Sequence, residues 1–253
     1  MNVKYFDLKN KRVFISGGGS GIGATIVEHF CKQNSEVYFI DIDTEASKKL
    51  IMSIKKKRLR VPKFIECNIL DIRKLQKIIK EIINKRGPIH CLVNSAANDD
   101  RHTSEEVDEK YWENRMGINL KHYFFAAQEV VKGMKKIKTG SIVNLSSVSW
   151  ILGEGDKVVY ETAKSAVVGL TRSFAQEFGK YNIRTNSVIP GSIATERQIK
   201  HWLTPKYKKL ILDSQALKRQ LKPEDVARLV LFLSSDQSSG CTKQSFVVDA
   251  GIS

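Results

Sequence analysis

The sequence of 253 residues has only four cysteines and contains no run of 18 consecutive apolar residues. The cysteines, Cys31, Cys67, Cys91 and Cys241, include no C-x-x-C pair and have no histidine cluster near them, so neither a disulfide framework nor a zinc site is indicated. We expect reduced thiols and no bound metal. The absence of a long apolar run, at the N-terminus or elsewhere, argues against a secretory signal and a membrane span. These absences predict a cytoplasmic protein without a membrane partner.

The sequence also lacks a linker rich in proline, glycine and serine, an internal repeat of solenoid length and any low-complexity segment. Its length and its hydrophobic content of 42% suffice for one large buried core. We therefore predict a single domain that spans residues 1–253.

Acidic residues are scarce relative to basic ones, 27 against 42, which gives a formal net charge of +15. Such an excess can indicate a nucleic-acid partner. However, the densest basic run, KKKRLRVPK at 55–63, has no interleaved aromatic residues that could stack on bases. Most of the basic residues are lysines rather than the arginines typical of phosphate readers. We therefore expect no nucleic-acid partner, while electrostatic attraction of an anionic substrate stays open.

Short apolar or β-branched runs alternate with stretches of helical periodicity such as RKLQKIIKEIINKR. The runs are RVFISG, EVYFID, KFIEC, HCLVNS, GSIVNLSS, RTNSVIPG and SFVVDAG. Continuous apolar strands are typical of a sheet that is covered on both faces, and strand–helix alternation favours right-handed βαβ crossovers. The sequence predicts an α/β fold with a doubly wound parallel sheet.

The turn FISGGGSGIG carries five glycines between the first predicted strand and the first predicted helix. Such a turn lets the backbone approach a pyrophosphate, which the free N–H groups of the helix N-terminus can bind. Asp41 ends the second predicted strand, where a carboxylate can accept hydrogen bonds from a ribose. It would repel a 2′-phosphate, and the next residue, Ile42, offers no compensating positive charge. We therefore predict NAD rather than NADP as the cofactor.

Further motifs follow along the chain: NSAA at 94–97, Asn119 within GINLKHYFFAAQ, Ser147 within NLSSVS, Tyr160 and Lys164 within YETAK, and PGSIAT at 190–195. Together with the glycine turn they resemble the short-chain dehydrogenase/reductase family over essentially the whole chain. In two places the sequence departs from the family pattern: Ser16 opens the glycine turn where threonine is usual, and NSAA replaces Asn-Asn-Ala-Gly. The resemblance implies a single-domain Rossmann-type fold and a homotetramer, with the helices at 116–134 and 158–178 as interface candidates.

The glycine turn, Asp41 and the resemblance together predict one set of residues that hold NAD. They are Gly17, Ser20, Gly21, Ile22, Gly23, Asp41, Ile42, Asn68, Ile69, Asn94, Ala96, Tyr160, Lys164, Pro190, Gly191, Ile193 and Thr195.

The catalytic prediction rests on hydride transfer between an alcohol and a nicotinamide, which needs a base for the hydroxyl proton. Tyr160 and Lys164 are four residues apart and therefore neighbours on one helix face. We expect the ammonium group, with an oxidised nicotinamide nearby, to lower the pKa of the phenol, so that Tyr160 acts as the base. Ser147 is expected to hold the reacting oxygen. The resemblance implies that Lys164 also binds the nicotinamide ribose and that Asn119 anchors a water in a proton relay.

The loops after the predicted strands carry polar groups beside aromatic rings, which favours a ring of hydroxyls over a steroid or a fatty-acyl chain. The predicted substrate residues are Asn98, Asp100, Arg101, His102, Ser147, Trp150, Glu154, Arg197, Gln198 and Trp202. The segments AANDDRH, ATERQIKHWL and CTKQSFVVDAGI also resemble the D-xylose and related aldose 1-dehydrogenases of the family. This implies oxidation of a pentose or hexose pyranose at C1 to the aldonolactone.

Two alternatives stay open. One is an NAD(P)H-dependent reductase of 3-oxoacyl thioesters or other carbonyl compounds, for which the basic surface could attract an acidic carrier protein. The other is a catalytically idle protein that senses dinucleotides or binds nucleic acid. Asp41 argues against an NADPH-dependent reductase, and the intact set of Ser147, Tyr160 and Lys164 argues against an idle protein.

Overall fold

The computed structural model describes residues 3–253. Met1 and Asn2, with which the predicted domain begins, lie outside the described residues, and the limits 1–253 stay a prediction. One sheet contains β1 (Arg12–Ser16), β2 (Glu36–Asp41), β3 (Lys63–Glu66), β4 (Cys91–Asn94), β5 (Gly140–Leu145), β6 (Ile183–Pro190) and β7 (Ser245–Val248). Each of these strands coincides with one of the seven apolar runs noted above.

The strands lie in the order β3-β2-β1-β4-β5-β6-β7, and all neighbouring pairs are parallel. Phe14 at the centre of β1 stands opposite Tyr38 of β2 on one side and Leu92 of β4 on the other. The chain leaves β1 toward β2 and later continues from β4 toward the opposite edge. In open parallel sheets a binding crevice forms at such a reversal, at the carboxyl ends of the strands. The predicted α/β, doubly wound parallel sheet is confirmed.

The helices of the described chain cover both faces of the sheet. They are α1 (Gly21–Lys32), α2 (Thr44–Lys56), α3 (Ile72–Arg86), α4 (Glu109–Met116), α5 (His122–Ile137), α6 (Ser149–Leu152), α7 (Val158–Phe178), α8 (Glu196–His201), α9 (Pro205–Ser214) and α10 (Pro223–Ser234). Helices α1, α2 and α10 contribute to one apolar core, and α3, α5 and α7 contribute to the other. Side chains of β1 alternate between the cores, with Val13 and Ile15 in the first and Phe14 in the second.

The helix N-termini differ in a way that bears on the binding crevice. Asp43 caps α2 by accepting a hydrogen bond from the backbone N–H of Ala46, and Asp71 caps α3 in the same way through Lys74. Ser20, at the corresponding position of α1, makes no side-chain capping bond. The first N–H groups of α1 therefore present their partial positive charge without a side chain bound to them.

A π-helical turn, Gly117–Lys121, joins α4 to α5 without a break. Such a turn inserts an extra residue into an α-helix and is frequent at functional sites. Asn119 lies within it and is fully buried.

The predictions about the cysteines and about a membrane span can be compared with the structure. All four cysteines fall within the described residues and are unpaired, three of them buried and Cys241 half-buried. None of the helices in residues 3–253 combines the length and the apolar character needed to span a bilayer.

Candidate active site

The glycine turn lies at the crevice between β1 and α1. Gly17 has a φ of +69°, in the left-handed region that favours glycine. At Gly23 a Cβ atom would lie 1.8 Å from the carbonyl oxygen of Gly17, so the close approach of these two residues excludes a side chain. The N–H groups of Gly17 and Gly18 donate to the carbonyl of Ile40 at 2.9 and 3.1 Å, which ties the turn to β2. The result is a bare backbone cradle in front of the uncapped N-terminus of α1.

Asp41 stands beside this cradle at the end of β2. Its Oδ2 accepts a hydrogen bond from the N–H of Gly19 at 2.8 Å, and its Oδ1 accepts one from the N–H of Asp43 at 2.9 Å. Both partners are neutral backbone groups, and a carboxylate offers about four acceptor positions, so acceptor capacity remains. The following residue, Ile42, has 69% of its surface exposed.

The segment after β4 packs against the glycine turn. The Ser16 hydroxyl accepts hydrogen bonds from the N–H groups of Ser95 and Ala96 at 3.2 and 3.3 Å, which places Ala96 at the crevice. Asn94, in contrast, is fully buried, and its amide donates to Asn144 Oδ1 at 2.9 Å within the sheet. Its side chain is therefore engaged by β5.

The remaining predicted cofactor positions follow β3. Asn68 accepts a hydrogen bond from the N–H of Leu70 at 3.0 Å, and Ile69 packs against the apolar core on that face. Ile22, in the first turn of α1, packs against the opposite core.

The loop after β6 closes over the glycine turn. Pro190 ends the strand, the N–H of Gly191 donates to the carbonyl of Val248 at 2.9 Å, and Ile193 is buried. Thr195 caps α8, and its methyl group lies 3.3 Å from where a Cβ of Gly21 would stand. These contacts bring the PGSIAT segment to the cradle, as the sequence predicts.

Ser147, Tyr160 and Lys164 converge near the carboxyl end of β5. The Ser147 hydroxyl lies 3.0 Å from that of Ser149 and also interacts with the Tyr160 phenol. Tyr160 and Lys164 occupy successive turns of α7, with the Lys164 Nζ 5.6 Å from the centroid of the Tyr160 ring. The structure therefore brings these three side chains together.

Lys164 is almost fully buried, and its ammonium group makes two hydrogen bonds within the protein. It donates to the carbonyl of Leu145 at 2.8 Å and to the phenol oxygen of Tyr123 at 2.9 Å. The Tyr123 hydroxyl in turn donates to the same Leu145 carbonyl at 2.9 Å. Because an ammonium group has three N–H donors, one stays available for another partner.

The pKa values of the pair differ from the sequence-based expectation. Burial raises the pKa of Tyr160 above its ordinary value and the charge of Asp99 raises it further, whereas the contact with Ser147 lowers it. Burial also lowers the pKa of Lys164 to about 7, against an opposing effect of Asp99. Without a cofactor the pKa of Tyr160 is therefore raised, because desolvation disfavours the phenolate, and the lowering expected with an oxidised nicotinamide nearby stays a prediction.

Asn119 holds the loop after β4. Its Oδ1 accepts a hydrogen bond from the N–H of Asn98 at 2.8 Å, and its Nδ2 donates to the carbonyl of the same residue at 3.0 Å. This two-bond clamp fixes the backbone immediately before Asp99.

We call residues 196–202, which comprise α8 and Trp202, the lid. Gln198 of the lid donates to Asp99 Oδ2 at 2.6 Å, and Arg197 forms ion pairs with both Asp99 and Asp100. Asp100 also pairs with Arg115 of α4 at 3.1 Å. The lid is therefore docked on the loop after β4 through two adjacent carboxylates.

Other predicted substrate residues connect the same loops. The Arg101 guanidinium lies 4.5 Å from the Trp202 ring centroid and pairs with Asp156 at 2.6 Å. His102 uses both ring nitrogens: Nε2 accepts from the N–H of Val159 at 3.2 Å, and Nδ1 lies 3.0 Å from the carbonyl of Asp100. Glu154 pairs with Lys157, and the Asn98 amide oxygen accepts from the N–H of Asp100.

Two indole groups, one in α6 and one in the lid, have unused donors. Nε1 of Trp150 and Nε1 of Trp202 are both buried and make no hydrogen bond within residues 3–253. Buried donors of this kind generally have partners, so each of the two leaves a hydrogen-bonding capacity unused.

Sequence reasoning missed three residues of this site. They are Asp99, which neighbours the predicted Asp100, and His122 and Tyr123, which follow Asn119 in α5. His122 is fully buried, its Nε2 lies 3.2 Å from the carbonyl of Ala96, and burial together with the charge of Lys164 lowers its pKa to about 3. The signal for the two helical residues was their position three and four residues after Asn119, on the same helix face.

Comparisons with known proteins agree with this arrangement. A family model described as enoyl-(acyl carrier protein) reductase matches residues 17–253. The chain is 43% identical over 247 residues to the D-xylose 1-dehydrogenase of Caulobacter vibrioides, covering 98% of this chain and 97% of that protein. It is 39% identical over 246 residues to a protein named as a galactose dehydrogenase in Rhizobium meliloti, with coverages of 97% and 96%. A 3-oxoacyl-[acyl-carrier-protein] reductase of Thermotoga maritima is 34% identical over 245 residues, with coverages of 97% and 98%.

Among solved structures, the ligand-free aldohexose dehydrogenase of Thermoplasma acidophilum superposes with a TM-score of 0.86 at 28% identity, covering 98% of this chain and 96% of that one. Enzymes of this kind use nicotinamide cofactors and act on the CH–OH group of small molecules. The family match over residues 17–253, the identities above 30% over nearly complete chains and the shared fold make this protein an oxidoreductase of the short-chain dehydrogenase/reductase family.

Proposed function

We propose that the protein oxidises an aldose, a pentose or hexose in its pyranose form, at C1 to the aldonolactone, with NAD as the cofactor. The observation that carries the proposal is the convergence of Ser147, Tyr160 and Lys164 beneath a lid whose contacts are polar. Oxidation of a hydroxyl needs the convergent catalytic side chains, and recognition of a polyhydroxylated ring needs the polar contacts of the lid.

The crevice fits the cofactor. The bare cradle at Gly17 and Gly23 and the uncapped N-terminus of α1 suit a pyrophosphate, and the free acceptor capacity of Asp41 suits ribose hydroxyls. The negative charge of Asp41, next to the uncharged Ile42, supports NAD over NADP. We place Asn68, Ile69, Ala96 and the segment from Pro190 to Thr195 along the rest of the cofactor. When bound, NAD supplies the acceptor for the hydride that leaves C1.

The side chains of the site have different roles in the reaction. Ser147 orients the anomeric hydroxyl by hydrogen bonding, and Tyr160 takes its proton as the C1–H bond breaks. Lys164, held by Tyr123 and Leu145, has one N–H left that would bind the nicotinamide ribose. The positive charge of the oxidised nicotinamide, when present, favours the phenolate and acts against the effect of burial on Tyr160. Asn119 fixes the loop through Asn98. Because both polar atoms of its side chain are used in this way, the water relay that we assign to Asn119 uses its other atoms.

The names of two similar sequences and one solved structure, a D-xylose 1-dehydrogenase, a galactose dehydrogenase and an aldohexose dehydrogenase, support a sugar as substrate.

The test is reduction of NAD with a panel of free aldoses and their 1-O-methyl glycosides at mildly alkaline pH. At least one free sugar should be oxidised, and its glycoside, which lacks the anomeric hydroxyl, should not react. Equal rates with the glycoside would exclude oxidation at C1.

A reductase of 3-oxoacyl thioesters is the second candidate, favoured by the Thermotoga maritima relative and by the net charge of +15. Turnover of a 3-oxoacyl thioester with no activity on any sugar would establish it in place of the first. We also propose that the enzyme is a homotetramer formed through the helices at 116–134 and 158–178, which light scattering in solution tests directly.

A further inference from the structure

We propose that Asp99 binds a hydroxyl group of the sugar and so determines which aldoses are accepted. This inference rests on the proposed function, because it concerns the substrate of the same site. Asp99 lies in the loop after β4, and its side chain is 26% exposed.

The position of Asp99 is fixed from both sides. The preceding residue, Asn98, is clamped at its N–H and its carbonyl by Asn119. The following residue, Asp100, is held by Arg115 of α4 and Arg197 of the lid. A residue held in this way has the pre-organised geometry that selective binding requires.

The Asp99 carboxylate contacts the lid through Gln198 and Arg197, whereas that of Asp100 is also engaged by Arg115 of α4. Asp99 is the negative charge that acts most strongly on the Tyr160 phenol, and it also acts on the Lys164 ammonium. One carboxylate is therefore held by the lid and lies close enough to the reactive groups for its charge to act on both of them.

Asp99 retains the capacity to bind a ligand. Its Oδ2 accepts a hydrogen bond from Gln198 at 2.6 Å, but its Oδ1 is 3.4 Å from Nε of Arg197, longer than the 2.7–2.9 Å typical of a charge-assisted hydrogen bond. A sugar hydroxyl can donate to this oxygen while Gln198 keeps the lid in place. A site built around such a bond discriminates strongly against an analogue that lacks the hydroxyl.

The experiment compares Asp99→Asn with Asp156→Asn as its matched control. Each substitution removes a carboxylate that pairs with an arginine of this region, Arg197 for Asp99 and Arg101 for Asp156, but only the first removes a charge that acts on Tyr160. We expect Asp99→Asn to raise the KM for the best aldose by about tenfold or more, with the KM for NAD unchanged within twofold. Asp156→Asn should leave the KM for the aldose within about threefold of the wild-type value.

A deoxy-sugar series identifies the hydroxyl. Removing one hydroxyl of the best aldose should lower kcat/KM of the wild-type enzyme by about tenfold or more, and the same removal should have little effect in Asp99→Asn. Additive losses at every hydroxyl position would overturn the proposal, since they would mean that none contacts Asp99.

The pH profile is an independent readout. Asp99, Glu154 and Glu161 raise the pKa of Tyr160, so removing the first charge should move the acid limb of kcat to lower pH. The Asp156→Asn variant should leave that limb in place. If Asp99→Asn does not fold, Asp99→Glu keeps the charge, so its acid limb should stay near the wild-type position while the KM for the sugar rises.

The results separate this proposal from the proposed function. If the wild-type enzyme oxidises no free aldose, the proposed function fails. If it oxidises aldoses but Asp99→Asn and Asp156→Asn have equal effects on the sugar KM, only the role of Asp99 fails, and its carboxylate merely docks the lid.

Discussion

The ammonium group of Lys164 donates to the phenol oxygen of Tyr123 at 2.9 Å, in a region from which solvent is excluded. Both partners also bond the carbonyl of Leu145, so two helices and the end of β5 meet at one buried polar triangle. Because none of these partners is a carboxylate, the positive charge of Lys164 is poorly compensated. The position of the lysine is therefore well defined, while its protonated state is destabilised.

This triangle predicts a conflict between stability and activity. Burial lowers the pKa of Lys164 from 10.5 to about 7, so between these values the unfolded chain binds more protons at this position than the folded chain. The stability contributed by the group therefore rises with pH in that window and is lost as pH falls through it. Lys164→Met should raise Tm at pH 7, by an amount that shrinks toward pH 10.5, and should abolish turnover.

Thermal unfolding at several pH values tests this prediction. Lys157→Met is the control, for which we expect the opposite change in Tm. Lys157 pairs with Glu154 and Asp156, which raise its pKa despite its burial, so its replacement leaves two carboxylates without that partner and should lower Tm. A Lys164→Met protein that melts below the wild type at pH 7 would contradict the account of the triangle.

Tyr160→Phe should bind NAD normally and lose at least about 10³-fold in kcat, because the ring is retained and only the proton acceptor is removed. Fluorescence titration with NADH and steady-state kinetics measure the two quantities. Tyr181→Phe, in the short turn that follows α7, is the control and should behave like the wild type. Near wild-type turnover of Tyr160→Phe would disprove the assignment of the base.

Asp41→Ala should narrow the preference for NAD over NADP, since the variant no longer repels a 2′-phosphate. The ratio of kcat/KM for the two cofactors is the measurement. Asp43→Ala is a suitable control, because it removes the cap of α2 at a cost of about 1 kcal/mol in stability but leaves the ribose carboxylate intact. A wild-type enzyme that works more efficiently with NADP would refute the cofactor proposal.

Gly23→Ala should destabilise the fold by about 1–3 kcal/mol and weaken cofactor binding, because its methyl group would overlap the carbonyl oxygen of Gly17. Gly179→Ala introduces the same methyl group into open space at a residue with helical dihedral angles, and we expect nearly unchanged stability. Denaturant unfolding of both variants with and without NAD provides the comparison. Equal stabilities would show that the turn can relax around a side chain.

The fold was predictable from local patterns because each strand is a continuous apolar run and each crossover contains a helix of clear periodicity. The cradle was predictable because glycines in a βα turn have few other uses. The choice between Asp99 and Asp100 was not, since it depends on Gln198, Arg197 and Arg115, residues distant in sequence. The pKa of Tyr160 was also beyond sequence reasoning, because it depends on how completely the phenol is buried.

The π-helical turn at Gly117–Lys121 sets the angular phase of the helix that follows it. An α-helix turns by about 100° per residue, so removing one residue between Asn119 and Tyr123 would rotate one side chain by about that angle relative to the other. Asn119 and Tyr123 would then no longer share a helix face. Their spacing thus lets one continuous helix hold both the loop at Asn98 and the ammonium group of Lys164, and insertions or deletions here should be far less tolerated than substitutions.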